Sequence, residues 1–135
     1  MQRRFIQARV ARLATVGDHG APHVVPVCFA ATRDQLVTAI DHKPKTTTQL
    51  KRLDNIRANP AVSLLVDRYE EDWSLLWWVR ADGHARVVDD PVELQPLLAP
   101  LLEKYRGHYG LRSLEGPAVV VDLHHWAGWT ASPSA

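Results

Sequence analysis

One cysteine, one methionine, two phenylalanines and only four lysines stand in a chain of 135 residues. The lone Cys28 excludes an internal disulfide and a thiolate-based zinc cluster, and its residue type is that of a small buried hydrophobe. No run approaches the ~18 consecutive apolar residues of a membrane-spanning helix. The N-terminal "MQRRFIQARVARLATV" is basic but lacks the apolar stretch of a secretory signal. The expectation is a soluble, cytoplasmic protein without a membrane partner. Lys and Arg outnumber Asp and Glu by a single charge, +1 in total, so no strong field points to nucleic acid. No glycine-rich dinucleotide fingerprint and no nucleophile elbow occur. The length suits one domain over residues 1–135, large enough to bury a core of its own.

What is present is a sequence of short strands and helices. Phe5, Ile6 and Val10 are spaced for a short N-terminal helix. "ARLATVGDHGAPHVVPVCFAA" reads as two strands around the turn residues 18–22, and "QLVTAI" as a third, which suggests a three-stranded meander. Thr46-Thr47-Thr48-Gln49 matches a capping box, opening a helix that Asn59-Pro60 ends. In that helix Leu50, Leu53 and Ile56 form the apolar face, leaving Lys51, Arg52, Asp54 and Arg57 to the surface. "AVSLLVDRY" is a nearly continuous apolar run, expected as a central strand.

"LLWWVRADGHARVV" alternates with period two. Trp77, Val79, Ala81, Gly83, Ala85 and Val87 make one face, and Trp78, Arg80, Asp82, His84 and Arg86 the other. Asp82-Gly83 is also hairpin chemistry, but the alternation keeps its phase through Gly83 and favours one long strand. Asp90-Pro91-Val92-Glu93 opens another helix with Pro at its first position. Its stripe of Leu94, Leu97, Leu98, Leu101, Leu102 and Tyr105 is interrupted by Pro96 and Pro100, so a kink or a late start is expected. "PAVVVDLHHWAGWTA" closes the chain as a strand. The pattern is α+β on an antiparallel sheet or barrel.

Two of the four lysines, Lys43 and Lys45, stand in "DHKPKTT" between a strand and a capped helix. The first turn of a helix has free N–H groups and the positive end of the dipole. Two mobile cations, three threonine hydroxyls and the stiffening Pro44 complete the chemistry of a phosphate site. The same composition also suits a solvated basic loop.

The segments "RLATVGDHGAPHVVPVCFA", "LVTAIDHKPK" and "LKRLDNIRANPAVSLLV" resemble the split β-barrel flavin- and deazaflavin-binding proteins of the pyridoxamine 5'-phosphate oxidase-like class. "WWVRADGHARVV" and "WAGWTA" resemble its branch of coenzyme F420-dependent oxidoreductases (FDOR-B-like). The resemblance implies a six-stranded antiparallel split β-barrel with a few peripheral helices. It also implies a homodimer, with the cofactor in a groove that both subunits line. The backbone of Val24, Val25, Pro26 and Val27 would edge the ring, and Thr38, Ala39 and Ile40 would flank it. Lys43, Lys45 and Thr46 would hold the phosphate, and Trp77 or Trp78 would approach from the second subunit. Lys51, Arg52 and Arg57 would extend a positive groove toward the acidic tail of F420.

Lys-Pro-Lys departs from the arginine–lysine pair of the true pyridoxamine phosphate oxidases, which points away from their substrate and cofactor. The implied activity is hydride transfer between reduced coenzyme F420 and an unsaturated small-molecule substrate, with no catalytic residue assigned. The alternatives are an FMN-dependent oxidase or reductase of the same fold, or a non-catalytic cofactor- or haem-binding protein. No metal site is expected, because the adjacent His124 and His125 would point to opposite faces of a strand. Trp73, Trp77 and Trp78 suit an oligomer interface or a planar ligand.

Overall fold

The computed structural model describes residues 1–39, 47–107 and 117–132, with backbone alone over 47–50. A short helix α1 (Gln2–Gln7) precedes β1 (Ala11–Val16), β2 (Pro22–Val27), the two-residue β3 (Ala30–Ala31) and β4 (Gln35–Ala39). Helix α2 (Thr47–Ala58), β5 (Ala61–Arg68), a single 3-10 turn (Trp73–Leu75) and the long β6 (Trp77–Val88) follow. Helix α3 (Pro91–Lys104) and β7 (Ala118–Thr130) complete the fold. The seven strands form one antiparallel sheet in the order β2-β1-β5-β6-β7-β4-β3.

The edge strands of this order, β2 and β3, are joined by Cys28-Phe29 alone. Three Cα steps reach at most about 11 Å, so the sheet must curl until its two edges nearly meet. That connection makes a split barrel of seven strands, one more than expected, because the chain continues past the seam into β3. The first three predicted strands are therefore not a meander. β1 and β2 are a hairpin, whereas β4 lies across the seam between β3 and β7. Pro22 and Pro26 suit β2 to its edge position, since each lacks an N–H for a second ladder.

The seam is fastened by hydrogen bonds. The Thr38 hydroxyl donates to the Cys28 carbonyl at 2.7 Å. The Phe29 N–H donates to the Tyr105 hydroxyl at 3.1 Å, and that hydroxyl lies 2.7 Å from the Arg9 carbonyl. Burial raises the Tyr105 pKa, the Phe29 backbone and the nearby charges contributing less.

Inside the barrel, Phe5, Leu13, Phe29, Leu64, Val79, Ala81 and Val121 pack with Leu53 and Ile56 of α2. Trp126 meets Phe5 edge-on at 5.1 Å. A second core lies under α3, where Leu94, Leu98, Leu101 and Tyr105 cover Val37, Val88, Ala118 and Val120. Consecutive β7 residues thus enter different cores, which is why Val119-Val120-Val121 is apolar without alternation. Asp90 caps α3 by accepting from the Glu93 N–H at 3.2 Å. The helix starts at Pro91 and carries Pro96 and Pro100 within it, so the expected late start does not occur.

β6 is one strand of 12 residues, and its buried positions Val79, Ala81, Gly83 and Ala85 keep the predicted alternation. Its pairing with β7 slips at one point. Asp82 opposes His125 and Gly83 opposes Leu123, so His124 is an extra, unpaired residue: a β-bulge. Both His124 and His125 are consequently exposed, not on opposite faces as a regular strand would place them.

Candidate functional site

The barrel's outer surface over β2, β1, β5 and β6 is set by register. One row of cross-strand neighbours runs Val24, Ala14, Ser63, Asp82, His125, and the next runs Pro26, Arg12, Leu65, Arg80, Ala127. A third pairs Asp67, Trp78 and Trp129. The small side chains of Ala14 and Ser63 form a floor, and Val24, Leu65 and Trp78 stand around it. The result is a mainly apolar groove of about 520 Å³. Of the groove's own lining, Val24 is 60% exposed and Leu65 37%, apolar surface left open to water in one patch.

The groove's charges are paired along its border. Arg12 donates to Asp67 at 3.2 Å. Asp82 accepts from Ser63 Oγ at 2.8 Å, from Arg80 Nε at 2.9 Å and from an Arg80 Nη at 3.2 Å. Partial burial alone would raise the Asp82 carboxyl. The Arg80 and Ser63 hydrogen bonds, with the charges of Arg80 and His125, outweigh it and hold the pKa below the usual carboxylate range. Such fixed pairs orient their side chains and leave the floor free for an uncharged surface.

β2 pairs with β1 alone among the described residues, so its far edge is open. Val24 and Pro26 face outward, whereas Val25 and Val27 turn toward the barrel interior. Cys28 continues the outward phase and is exposed, not buried as its residue type suggested. The Thr38 hydrogen bond holds the β4 strand against the end of β2. The structure thus brings Thr38 to Cys28, the residue that follows Val27, with Thr38 buried and its hydroxyl engaged. Ala39 is half-buried beside the α3 core. Trp78 lines the groove that Val24 also lines, while Trp77 packs on the opposite face beneath the Arg4 guanidinium at 5.1 Å. Ile40, Lys43, Lys45 and Thr46 lie outside the described residues.

Helix α2 carries a residue that the sequence pattern misassigned. Arg52 was expected on the surface beside Lys51 and Arg57. Those two are exposed, but Arg52 is only 9% accessible and its Nε has no hydrogen-bond partner. No ion pair to Arg52 occurs among the described residues. Burial lowers its pKa, yet a guanidinium stays charged at neutral pH. One turn further along the same face, Asn55 donates to the buried Thr15 hydroxyl at 3.1 Å and anchors α2 to β1. Leu53 and Ile56 seat the helix in the barrel mouth. A buried cation for which the described residues offer no counter-charge costs several kcal/mol.

The sequence profile of the pyridoxamine 5'-phosphate oxidase family matches residues 1–127. The chain belongs to this family. Solved structures with the same split barrel extend the comparison. HutZ, the haem storage protein of Vibrio cholerae, superposes with a TM-score of 0.70 at 21% identity, covering 96% of this chain and 91% of that one. An FAD-binding protein of Mesorhizobium loti gives 0.66 at 24% identity, with 94% and 91% covered. An F420 reductase gives 0.63 at 23% identity, with 93% and 94% covered. No curated protein sequence matches the chain. Members of one barrel thus carry different groups, and the fold alone does not choose between them. Among the described residues of this family member, no helix is long and apolar enough to cross a membrane.

Proposed function

We propose that this protein is an oxidoreductase that uses reduced coenzyme F420 and works as a homodimer with the cofactor in a groove shared by two copies. The observation that carries the reading is Arg52, a buried guanidinium with an unpartnered Nε on the helix that follows the lysine loop. Its donors suit a phosphate oxygen, which accepts charge-assisted hydrogen bonds. Lys43, Lys45 and Thr46 would complete the phosphate site from the loop. The open edge of β2 offers backbone groups to the rim of a planar ring, and Thr38 keeps that edge in place. Lys51 and Arg57, both exposed, suit an acidic tail that continues into solvent. A second copy over the groove would cover Val24, Leu65 and Trp78 and exclude water from the ring. When bound, the reduced deazaflavin supplies a hydride to an unsaturated small-molecule acceptor.

Equilibrium titration of F420 and of FMN into the same cofactor-free preparation tests this. F420 is expected to bind more tightly. Lys45→Ala is expected to lose ten- to hundredfold in Kd, as removal of one charge-assisted hydrogen bond worth about 1.5–3 kcal/mol predicts. Lys51→Ala is expected to lose under ~1 kcal/mol, with an effect that shrinks further as salt is added. Protein that purifies with stoichiometric FMN would transfer the reading to an FMN-dependent enzyme. Equal losses in the two variants would reduce the loop to a solvated basic turn.

A further inference from the structure

The β-bulge between β6 and β7 assembles a group of side chains that the proposed redox reading does not use. His84 lies on β6 directly opposite Asp122, and its side chain faces outward. His124 is the residue without a cross-strand partner. In a regular ladder the outward set on β7 would continue from Asp122 to His124 and then skip one position. The inserted residue resets the phase, so His124 and His125 are both exposed. His124 leans over β6 until its ring lies 4.8 Å from that of His84, centroid to centroid, with the planes 38° apart. Gly83 permits the distortion: a Cβ there would come within 2.7 Å of Val121 Cγ1 and would run into the Asp122 carbonyl.

We infer that His84 and His124 form a two-imidazole binding site for a first-row divalent transition ion such as Zn²⁺ or Ni²⁺. Two imidazoles that ligate one ion at about 2.0–2.1 Å hold their ring centroids roughly 4.5–5.2 Å apart, for N–metal–N angles between about 90° and 110°. The observed 4.8 Å falls in that interval. The rings are neither parallel nor perpendicular, at 38°, so the pair is not held in a face-to-face stack that would block a shared ligand. Both residues are exposed, so water can fill the remaining coordination positions and the ion needs no entry path. The Asp122 carboxylate, the register neighbour of His84, adds a favourable negative charge beside the site. Among the described residues no group of three or more His, Cys, Asp or Glu side chains is arranged to hold a metal. The site is therefore an open, two-ligand one, and imidazole donors select against Mg²⁺ and Ca²⁺.

Calorimetric titration of tag-free, metal-stripped protein with Zn²⁺ and Ni²⁺ tests the assignment. The expected result is one ion per chain, with no heat from Mg²⁺. His84→Ala and His124→Ala should each lower the affinity ten- to hundredfold, because the second imidazole binds as an intramolecular ligand of high effective concentration. His19→Ala, at an exposed turn, should leave it unchanged. Asp122→Asn should weaken binding only severalfold. Both key histidines are exposed, so the variants should fold, and circular dichroism checks that they do. In the wild type, the imidazole resonances of His84 and His124 should move together in a Zn²⁺ titration followed by NMR. Binding that survives His84→Ala, that depends on His124 alone, or that is absent at millimolar ion would overturn the proposal.

Discussion

The Thr38 hydroxyl donates to the Cys28 carbonyl at 2.7 Å, across the line where the two ends of the sheet meet. One residue sits on β4 and the other on the connection that leaves β2. The bond therefore ties β4, next to the last strand of the sheet order, to the connection that leaves the first strand, and it holds the proposed ring-binding edge in position. Thr38→Val keeps the volume but leaves the carbonyl without its donor. The expected loss is about 1–2 kcal/mol in chemical denaturation, and Thr38→Ser should recover most of it. An unchanged midpoint for the valine variant would show that water replaces the hydroxyl.

Arg52 gives a prediction with opposite signs for binding and stability. Arg52→Met removes a buried charge and fills its space with an apolar chain. Without cofactor the variant should be as stable as the parent, or more stable by about 1–3 kcal/mol. Cofactor affinity should nevertheless fall at least tenfold. Denaturant unfolding and ligand titration of the same samples measure both. A variant that is strongly destabilised and binds normally would make Arg52 a structural residue.

Lys104 predicts a pH dependence. Its ammonium donates to the Ile6 carbonyl at 3.1 Å and lies 4.0 Å from the Phe29 ring centroid. Burial, followed by the nearby Arg9 charge, lowers its pKa to about 8 from the ordinary 10.5. Between those values the unfolded chain binds the proton more often than the folded one, so this group makes stability rise with pH from about 8 toward 10. Tyr105 acts the other way above its ordinary value of 10.0, because its folded-state pKa is raised. Thermal midpoints of the wild type and Lys104→Met across pH 7–10 should show a rising contribution in the wild type that the variant lacks. Parallel curves would remove Lys104 as its source.

Gly83 should tolerate no side chain. The nearest atoms belong to the opposed strand, not to the tip of a flexible chain. Gly83→Ala should push β7 away or erase the bulge, at a cost of about 1–3 kcal/mol and roughly 5–15 °C in the thermal midpoint. The His84–His124 contact should be lost with it, which the histidine NMR signals would report. A fully stable alanine variant would mean that the two strands separate easily at this point.

The dimer expectation is tested by sedimentation at micromolar protein, which should give twice the chain mass of 15.2 kDa. Trp78→Arg places a charge on the apolar groove and should shift the protein toward monomer. A wild-type monomer at that concentration would remove the shared groove from the proposed function.

Much of this architecture follows from sequence periodicity and local stereochemistry. Alternation over Trp77–Val88 gives β6 its length and its buried face. Asp90-Pro91 starts α3, Asn59-Pro60 stops α2, and the prolines of β2 suit it to a sheet edge. These features depend on neighbours in the chain and on backbone geometry that each residue carries with it. The placement of Arg52, Cys28 and the two adjacent histidines needed the tertiary structure. Periodicity reports which way a side chain points but not what covers it. Arg52 is buried because α2 lies across the barrel mouth, and Cys28 is exposed because the phase of β2 runs through the seam. His124 turns toward His84 because two long strands pair with one residue to spare. That mismatch belongs to neither strand alone, so it appears only when β6 and β7 are brought together.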